Sequence, residues 1–256
     1  MIDLHAHVLP GIDDGPATLE SSVELARAAL ADGVTAMAAT PHVRDDYPTD
    51  AATMMRLVRE LRAALAAESL PLELLTGGEV ALERLRSSAL SELRAFGLGG
   101  NPQYLLVEFP YNGWPLDLPE LLFRLIAQDV TPVLAHPERN DVVQKAPRRL
   151  EPLVSSGCLV QLTAASAAGR LGRRARAAAA RLLELRLAHL LASDAHSPGL
   201  RGAGLSAAAA EIGGGELGVW LTQELPAAIV SGANLPPRPA RSRGRWWSRP
   251  GPGPRA

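Results

Sequence analysis

The alternation of short apolar runs with longer amphipathic runs limits the fold of this 256-residue chain more than any other feature. Seven short runs have the length and composition of buried strands, and they span residues 1–4, 34–40, 72–76, 104–109, 131–135, 158–162 and 188–192. Amphipathic stretches separate most of them, so consecutive strands should be parallel and joined by right-handed crossovers. Seven βα units without a break in composition before residue 235 predict a single α/β barrel rather than a doubly wound sheet.

Local signals place the helices between these strands. Thr18 can cap a helix that ends at Asp32-Gly33, and the next helix covers about residues 50–67. Their apolar residues recur at helical spacing: Leu19, Val23, Ala26 and Leu30 in the first, and Met54, Leu57, Leu61 and Leu65 in the second. Further helices are expected over 82–93, 118–128, 142–155 and 173–187.

Composition excludes several classes of protein. Hydrophobic residues make up 47% and charged residues 21% of the chain, which is typical of a soluble globular protein. The net charge is −1, but residues 236–256 contain six Arg and no acid, which leaves −7 on residues 1–235 and argues against a nucleic-acid-binding body. Cys158 is the only cysteine, so disulfide frameworks and cysteine-based zinc sites are excluded.

The two ends of the chain carry separate signals. The N-terminus lacks the cationic start and apolar stretch of a signal peptide, and no apolar run approaches the ~18–20 residues of a membrane span, so a cytoplasmic protein is expected. Pro, Gly, Ser and Arg dominate 236–256, which predicts a flexible tail. Trp246 and Trp247 among its arginines could make weak contact with an anionic surface, and the alternative is a solvated extension.

Potential metal ligands stand at the carboxyl ends of successive predicted strands, namely His5, His7, His42, Glu79, Glu108, His136, Asp194 and His196. In a parallel barrel these ends converge on one face, where the loops build the active site. Singly, each His could be structural. Five of the six histidines in equivalent positions, together with three carboxylates, predict a metal site. Glu108 lies between Val107 and Phe109, where a buried carboxylate needs a cation or a salt bridge.

The types of ligand limit which metals the site would bind. Imidazoles and carboxylates without thiolates suit Mn, Fe or Zn, and so many ligands exceed what one ion requires. Two or more ions sharing a carboxylate are typical of hydrolysis at phosphorus. Asp13-Asp14-Gly15 offers a further ligand, or alternatively only a turn with a helix N-terminal charge.

Seven short motifs surround these positions: His5-Ala6-His7, Asp13-Asp14-Gly15-Pro16, Ala39-Thr40-Pro41-His42, Gly77-Gly78-Glu79-Val80, Leu106-Val107-Glu108-Phe109-Pro110, Ala135-His136-Pro137-Glu138-Arg139 and Ala192-Ser193-Asp194-Ala195-His196. In this order and spacing they resemble the PHP metallohydrolase superfamily, and within it the capsular-polysaccharide-type bacterial tyrosine phosphatases, from residue 1 to about 230. The His-x-His motif alone indicates only the superfamily, whereas Asp-Asp-Gly-Pro and Ala-His-Pro-Glu-Arg together narrow the resemblance to the tyrosine phosphatase family within it.

The resemblance implies a PHP-type distorted (β/α)7 barrel over 1–235, with a trinuclear site, usually of manganese, at the C-terminal ends of the strands. It implies one ion held by His5, His7, Glu79 and Asp194, a second by Glu79, Glu108 and His136, and a third by Asp14, His42 and His196. Glu79 would bridge two ions. Arg139 would contact the phosphate, with a surface pair to Glu138 as the alternative, and Arg201 would add a second cation.

The same resemblance implies a metal-dependent protein-tyrosine phosphatase that acts on the tail of a bacterial tyrosine kinase controlling capsule or exopolysaccharide synthesis. Two alternatives remain open: a small-molecule phosphatase of the superfamily, such as one acting on histidinol phosphate, and a metal-bearing interaction module with little activity. The chain departs from the family at Val43, where members often have a second His, and at Ser197, where they often have Asn.

Other features are interpreted as structural. Cys158 lies in an apolar run and has Ala164, not Arg, six positions on, which argues against a cysteine-dependent phosphatase. His189 lies between Ala188 and Leu190 and is expected to be structural. The glycine cluster 97–100 follows no predicted strand, so a nucleotide loop is not expected.

Overall fold

The computed structural model of the protein describes residues 1–198, 204–212 and 214–240. Its strands are β1 (Ile2–Ala6), β2 (Ala36–Ala39), β3 (His42–Val43), β4 (Glu73–Thr76), β5 (Glu79–Val80), β6 (Tyr104–Glu108), β7 (Thr131–Ala135), β8 (Leu159–Thr163) and β9 (Leu190–Ala192). A strand lies within or overlaps each of the seven predicted ranges. The two additional strands, β3 and β5, are two-residue continuations of the paths of β2 and β4.

The strands form two parallel sheets that together make the wall of a distorted barrel. One sheet has the order β1-β2-β4, and the other has the order β3-β5-β6-β7-β8-β9. The interruption in each split strand falls at Thr40-Pro41 or at Gly77-Gly78; proline removes a ladder donor and glycine weakens a strand. Two backbone hydrogen bonds of 2.8 Å, from Asp194 N to the His5 oxygen and from His7 N to the Ala195 oxygen, join the end of the barrel to its beginning.

Helices follow most strands, as expected for βα units, and they are α1 (Leu19–Ala31), α2 (Ala51–Ala67), α3 (Leu82–Ser87), α4 (Leu90–Leu93), α5 (Leu118–Ile126), α6 (Asp141–Lys145), α7 (Glu151–Ser155), α8 (Ala164–Ala167), α9 (Arg173–Glu184), α10 (Leu205–Glu211), α11 (Gly215–Val219) and α12 (Leu225–Ser231). Short 3-10 turns occupy Arg94–Phe96, Pro137–Arg139 and Pro147–Leu150, and a π-helical turn, Trp220–Glu224, joins α11 to α12.

The expected cap is present, and the longer predicted helices are interrupted. Thr18 caps α1, as expected, through a reciprocal pair of hydrogen bonds with Ser21; Asp50 caps α2, a cap that was not predicted. The predicted helix 142–155 is divided into α6, a 3-10 turn and α7, because Pro147 cannot donate a helical hydrogen bond. The predicted helix 173–187 corresponds to α9, which ends earlier, at Glu184. Arg186 then adopts a left-handed φ of 63° that turns the chain toward β9.

One hydrophobic core fills the barrel and the space beneath the helices. Its buried members come from every strand and from the inward faces of several helices, including the predicted Met54 and Leu61 of α2. Among the described residues no helix is both long enough and apolar enough to cross a bilayer. The predicted PHP-type α/β barrel is therefore confirmed as the fold class, with the added division of two strands.

The predicted tail begins with a segment that contacts the body. Arg238 donates to the Ala188 carbonyl oxygen at 2.7 Å and lies over the Trp220 ring, while the Trp220 indole donates to the Pro236 oxygen at 3.1 Å. Residues 236–240 thus contact the barrel, and the flexible tail over 236–256 stays a prediction. Residues 241–256, including Trp246 and Trp247, lie outside the described residues.

His189 has the structural role expected from the sequence. It directly precedes β9 at the amino end of the strand, and its Nδ1 accepts a hydrogen bond of 3.1 Å from the Val160 backbone amide. Burial, together with the nearby Arg238 cation, lowers the pKa of His189 to about 4. The imidazole is therefore neutral at pH 7 and serves as an acceptor.

The lowered pKa of His189 predicts that this residue contributes measurably to the loss of folding stability at acid pH. Because the pKa of His189 is lower in the folded protein than in the unfolded chain, the unfolded chain binds more protons between pH 6.5 and about 4, and the free energy of unfolding falls as pH drops through that window. The His189→Gln variant should lose less stability over this range, by on the order of 2 kcal/mol, in urea unfolding at pH 7 and pH 4.5. Equal losses in the variant and the parent protein would contradict the assignment.

Candidate metal centre

Nine side chains meet at the carboxyl ends of the strands, and they are the nine metal ligands expected from the sequence. They form four overlapping groups whose ligand atoms lie within 4.8 Å of one another: His5, His7 and Asp194; His5, Glu79 and His136; His42, Glu79 and Glu108; and His7, Asp14, His42 and His196. The shared members make the groups one continuous cluster. Strand register contributes directly, since His42 of β3 is the cross-strand partner of Glu79 of β5.

Glu79 lies at the centre of this cluster and is fully buried. Its Oε1 is 2.8 Å from His136 Nε2, and its Oε2 is 3.0 Å from His42 Nδ1, 3.4 Å from His7 Nε2 and 3.5 Å from His5 Nε2. Burial by itself would raise the pKa of Glu79, but the imidazoles of His5 and His136 hold it well below its ordinary value. The carboxylate is therefore ionised and surrounded by nitrogen ligands.

The loop after β1 separates the roles of its two aspartates. Asp14 Oδ1 lies 3.1 Å from His196 Nε2 and 3.5 Å from His42 Nε2, which places Asp14 in the cluster. Asp13 instead accepts a 2.7 Å hydrogen bond from His7 Nδ1, so it orients that imidazole and leaves Nε2 toward the cluster. The loop can approach β1 this closely because residue 15 is glycine: a Cβ there would lie 2.5 Å from the His7 carbonyl oxygen.

Gln161 holds His5 in the same way, and sequence reasoning did not identify it. It lies in β8, is buried, and its Oε1 is 3.0 Å from His5 Nδ1, so the His5 Nε2 atom faces Glu79. The only signal in the sequence is a single amide within the apolar run Leu159-Val160-Gln161-Leu162, where a buried polar group requires a partner.

Backbone strain occurs at two of the ligands. His136 and Asp194 have left-handed φ values of 40° and 53°, which cost free energy in residues other than glycine. Buried Asp3 helps to maintain the left-handed backbone at Asp194. Its Oδ1 accepts hydrogen bonds from the backbone amides of Ser193, at 3.0 Å, and His5, at 3.3 Å. The two segments that close the barrel are thus tied together beside the cluster.

Two properties of the cluster suit divalent cations: its negative charge and its buried atoms that make no hydrogen bond. Four of its side chains are carboxylates, and the five imidazoles are uncharged when they ligate a metal. Among the described residues, buried His136 Nδ1 has no hydrogen-bond partner, and buried Glu79 Oε2 and His42 Nδ1 meet in an ion-pair contact of 3.0 Å. Cations would satisfy both the excess negative charge and these atoms. The absence of thiolates favours metals that accept nitrogen and oxygen ligands.

Arg139 borders the cluster and does not pair with Glu138. Its guanidinium NH1 donates to Asp194 Oδ2 at 2.7 Å, and its Cζ lies 4.4 Å from the centre of the Tyr111 ring. Glu138 is fully buried and accepts a 3.0 Å hydrogen bond from the Thr163 amide, so the alternative of a surface Arg139–Glu138 pair is wrong. Arg139 is one-fifth exposed, at 20%, so part of the guanidinium is open to solvent.

Arg44 is a second cation at the mouth, and it was not identified from the sequence. Its NH1 donates to Glu108 Oε1 at 3.0 Å, which provides the salt bridge that the position of Glu108 requires, and its other nitrogens bind Asp46. Burial and the charge of Glu79 raise the pKa of Glu108, whereas His42 and Arg44 oppose that rise. Arg201, the expected second cation, lies outside the described residues.

Two other sequence features have clear positions. Val43, where relatives often have His, is buried in β3 and pairs with Val80, so it belongs to the core rather than to the rim, whereas Ser197 is exposed. Cys158 is buried, and burial raises the pKa of its thiol to about 11. A thiol with so high a pKa is a poor nucleophile at neutral pH.

Comparison with known proteins agrees with this geometry. The family described as capsular polysaccharide synthesis, CpsB/CapC, matches residues 1–215. The chain is 36% identical over 198 residues to the tyrosine-protein phosphatase YwqE of Bacillus subtilis, which covers 77% of this chain and 78% of that protein. It is 28% identical over 214 residues to the tyrosine-protein phosphatase CpsB of Streptococcus agalactiae, covering 78% and 85%.

A solved structure supports the same comparison. It is described as YwqE from Bacillus subtilis and CpsB from Streptococcus pneumoniae, unique metal-dependent tyrosine phosphatases. The TM-score is 0.82 at 32% identity, and the match covers 94% of this chain and 100% of that one.

The contacts of Asp13 predict how it affects metal binding. The Asp13→Ala variant should bind divalent metal ~10–100-fold more weakly, because His7 loses the carboxylate that orients it, while the number of ions bound at saturation stays unchanged. The Asp14→Ala variant is the matched comparison and should bind fewer ions at saturation. Equilibrium dialysis followed by elemental analysis measures both quantities. If the Asp13→Ala variant bound metal with the affinity of the parent protein, Asp13 would not be the residue that orients His7 for metal binding.

Proposed function

Since this chain belongs to the CpsB/CapC family of capsular polysaccharide synthesis, we propose that it is a metal-dependent protein-tyrosine phosphatase that hydrolyses phosphotyrosine. The observation that carries the proposal is the cluster of nine nitrogen and oxygen ligands, seven of them buried, with an arginine at its open edge. Cations together with a guanidinium suit a phosphate group, whereas the high pKa of the Cys158 thiol argues against a cysteine-dependent mechanism.

The metal content belongs to the proposal. Three manganese ions would be held by the sets that the sequence resemblance implies: His5, His7, Glu79 and Asp194; Glu79, Glu108 and His136; and Asp14, His42 and His196. The proximity of the side chains supports this assignment in part: Asp14, His42 and His196 share one of the four groups, whereas the other two sets are each divided between groups. Glu79 belongs to two of the groups. Bound divalent ions supply Lewis-acid chemistry, which lowers the pKa of water and neutralises charge on phosphate oxygens. Iron or zinc would suit the same ligands.

The protein's own groups position the substrate. Arg139 is fixed on one side by its hydrogen bond to Asp194 and offers the remaining donors of a planar guanidinium to two phosphate oxygens. Asp13 and Gln161 hold His7 and His5 in the orientation that ligation requires. Glu108 is held by Arg44, so its carboxylate is already in place before substrate binds. Preorganised groups of this kind need little rearrangement during reaction.

We propose the phosphotyrosyl tail of a bacterial tyrosine kinase involved in capsule or exopolysaccharide synthesis as the substrate. The relatives are named as tyrosine-protein phosphatases, which supports the phosphotyrosine part of the proposal. A screen of phosphotyrosyl peptide against histidinol phosphate under Mn²⁺ distinguishes the small-molecule alternative. Metal-loaded protein that binds a partner but hydrolyses neither substrate would favour the interaction-module alternative.

Arg139 provides the first test. The Arg139→Ala variant should lose ~10²–10³-fold in turnover of an aryl phosphate, because a charged donor to the phosphate is removed. Arg139→Lys should restore little of that loss, since an ammonium cannot bind two oxygens as a planar fork. Arg148→Ala is the control, because Arg148 is exposed and pairs with Glu151 away from the cluster. If Arg139→Ala matched the control in steady-state assays, Arg139 would have no part in the reaction.

His136 provides the second test, through metal content as well as rate. The His136→Ala variant should contain less metal by elemental analysis and should lose at least ~10²-fold in turnover. His189→Gln is the matched control, because His189 lies at the opposite ends of the strands. Undiminished metal and rate in His136→Ala would place the reaction elsewhere.

Cys158 tests the competing chemistry. Because its thiol is buried and has a raised pKa, Cys158→Ala should keep aryl phosphatase activity within about twofold of the parent protein. Iodoacetamide should likewise fail to inhibit the native enzyme. Loss of activity in Cys158→Ala, with folding confirmed by circular dichroism, would revive a thiol mechanism.

A further inference from the structure

The rim beside Arg139 carries an aromatic ring that the metal cluster does not use. Tyr111 follows β6, its ring centre lies 5.6 Å from that of His136, and the Arg139 guanidinium carbon lies 4.4 Å from its centre. The side chain is 41% exposed. An exposed ring next to a phosphate-binding arginine is in position to contact the organic group that a phosphate carries.

The loop that carries Tyr111 is held by the two residues that follow Arg139. Asn140 Nδ2 donates to the carbonyl oxygens of Pro110, at 2.7 Å, and Gly113, at 2.8 Å. The backbone amide of Asp141 donates to the backbone carbonyl oxygen of Tyr111 at 2.9 Å. The Asp141 carboxylate oxygen Oδ1 accepts a hydrogen bond from the Gly113 amide at 2.8 Å. The loop that carries Tyr111 and the turn that ends at Arg139 are therefore tied together by hydrogen bonds, which fix the separation between the ring and the guanidinium.

A second ring near the cluster is less suited to the same role. Tyr47 stacks on His42 with a centre-to-centre distance of 5.6 Å and an interplanar angle of 15°, so the imidazole covers one of its faces. Its loop also carries Asp45 and Asp46, whose negative charges disfavour a phosphate ester. The Arg44 guanidinium carbon lies 5.5 Å from the centre of the Tyr47 ring, but its three nitrogens donate to Asp46 and Glu108. Arg139, beside Tyr111, donates through NH1 to Asp194.

We infer that Tyr111 is a specificity-determining residue that packs against the aromatic ring of the substrate while Arg139 binds its phosphate. This inference rests on the proposed phosphatase function. Offset or edge-to-face contact between two aromatic rings is favourable beyond the burial of their surfaces. An alkyl phosphate, such as that of phosphoserine, offers no ring for this contact. A tyrosine phenol is neutral at pH 7 and so adds no charge beside the phosphate.

The test measures binding of two unreactive phosphonates to the metal-loaded protein by calorimetry. The parent protein should bind phenylphosphonate roughly tenfold more tightly than methylphosphonate. Tyr111→Leu should remove this preference and leave methylphosphonate affinity unchanged, whereas Tyr111→Phe should retain it. Leu116→Ala is the matched control, because Leu116 follows on the same loop and is 95% exposed, and it should behave as the parent protein does.

The outcomes separate this inference from the proposed function. If Tyr111→Leu weakened both phosphonates equally, Tyr111 would act only by supporting Arg139, and the inference would be overturned. Equal affinities for the two phosphonates in the parent protein, or no binding of either, would also overturn it. Failure of the proposed function has a different signature, since the parent protein would then bind the phosphonates but hydrolyse no phosphotyrosyl peptide.

Discussion

The ionised carboxylate of Glu79, buried among four imidazoles, is the interaction on which the site depends. A buried carboxylate without compensation costs several kcal/mol, so its neighbours must be held in place by the fold. Two of those neighbours, His5 and His7, belong to the first strand and its end, where Asp3 is hydrogen-bonded to Ser193, 190 positions away in sequence. The contacts that close the barrel therefore also position two of the imidazoles around Glu79.

The sequence predicted those parts of the molecule that depend on local pattern. The alternation of strands and helices and the cap at Thr18 follow from local sequence signals. The placement of ligands at strand ends predicts a common site, because parallel strands in a barrel end on one face. The division of the strands at Thr40-Pro41 and Gly77-Gly78 was not predicted, although proline and glycine are visible there. Whether such residues interrupt a strand depends on the neighbouring strand.

The missed members of the site share a different cause. Arg44 and Gln161 act through partners far away in the sequence, Glu108 and His5, and spacing along the chain does not indicate such pairs. The separate roles of Asp13 and Asp14 arise from the turn at Gly15, which directs adjacent carboxylates to different imidazoles. Sequence alone therefore identified the candidate ligands better than it identified the groups that orient them. The contact between Arg139 and Tyr111 likewise joins two loops from different parts of the sequence, so spacing along the chain does not indicate it.

The number of metal ions per chain tests the central claim most directly. Protein saturated with Mn²⁺, freed of excess metal and analysed for elemental content should contain more than one ion per chain. The Glu79→Gln variant should lose more than one of them, because the Glu79 carboxylate belongs to two ligand groups. At most one ion in the parent protein, or the same number in Glu79→Gln as in the parent, would contradict the account.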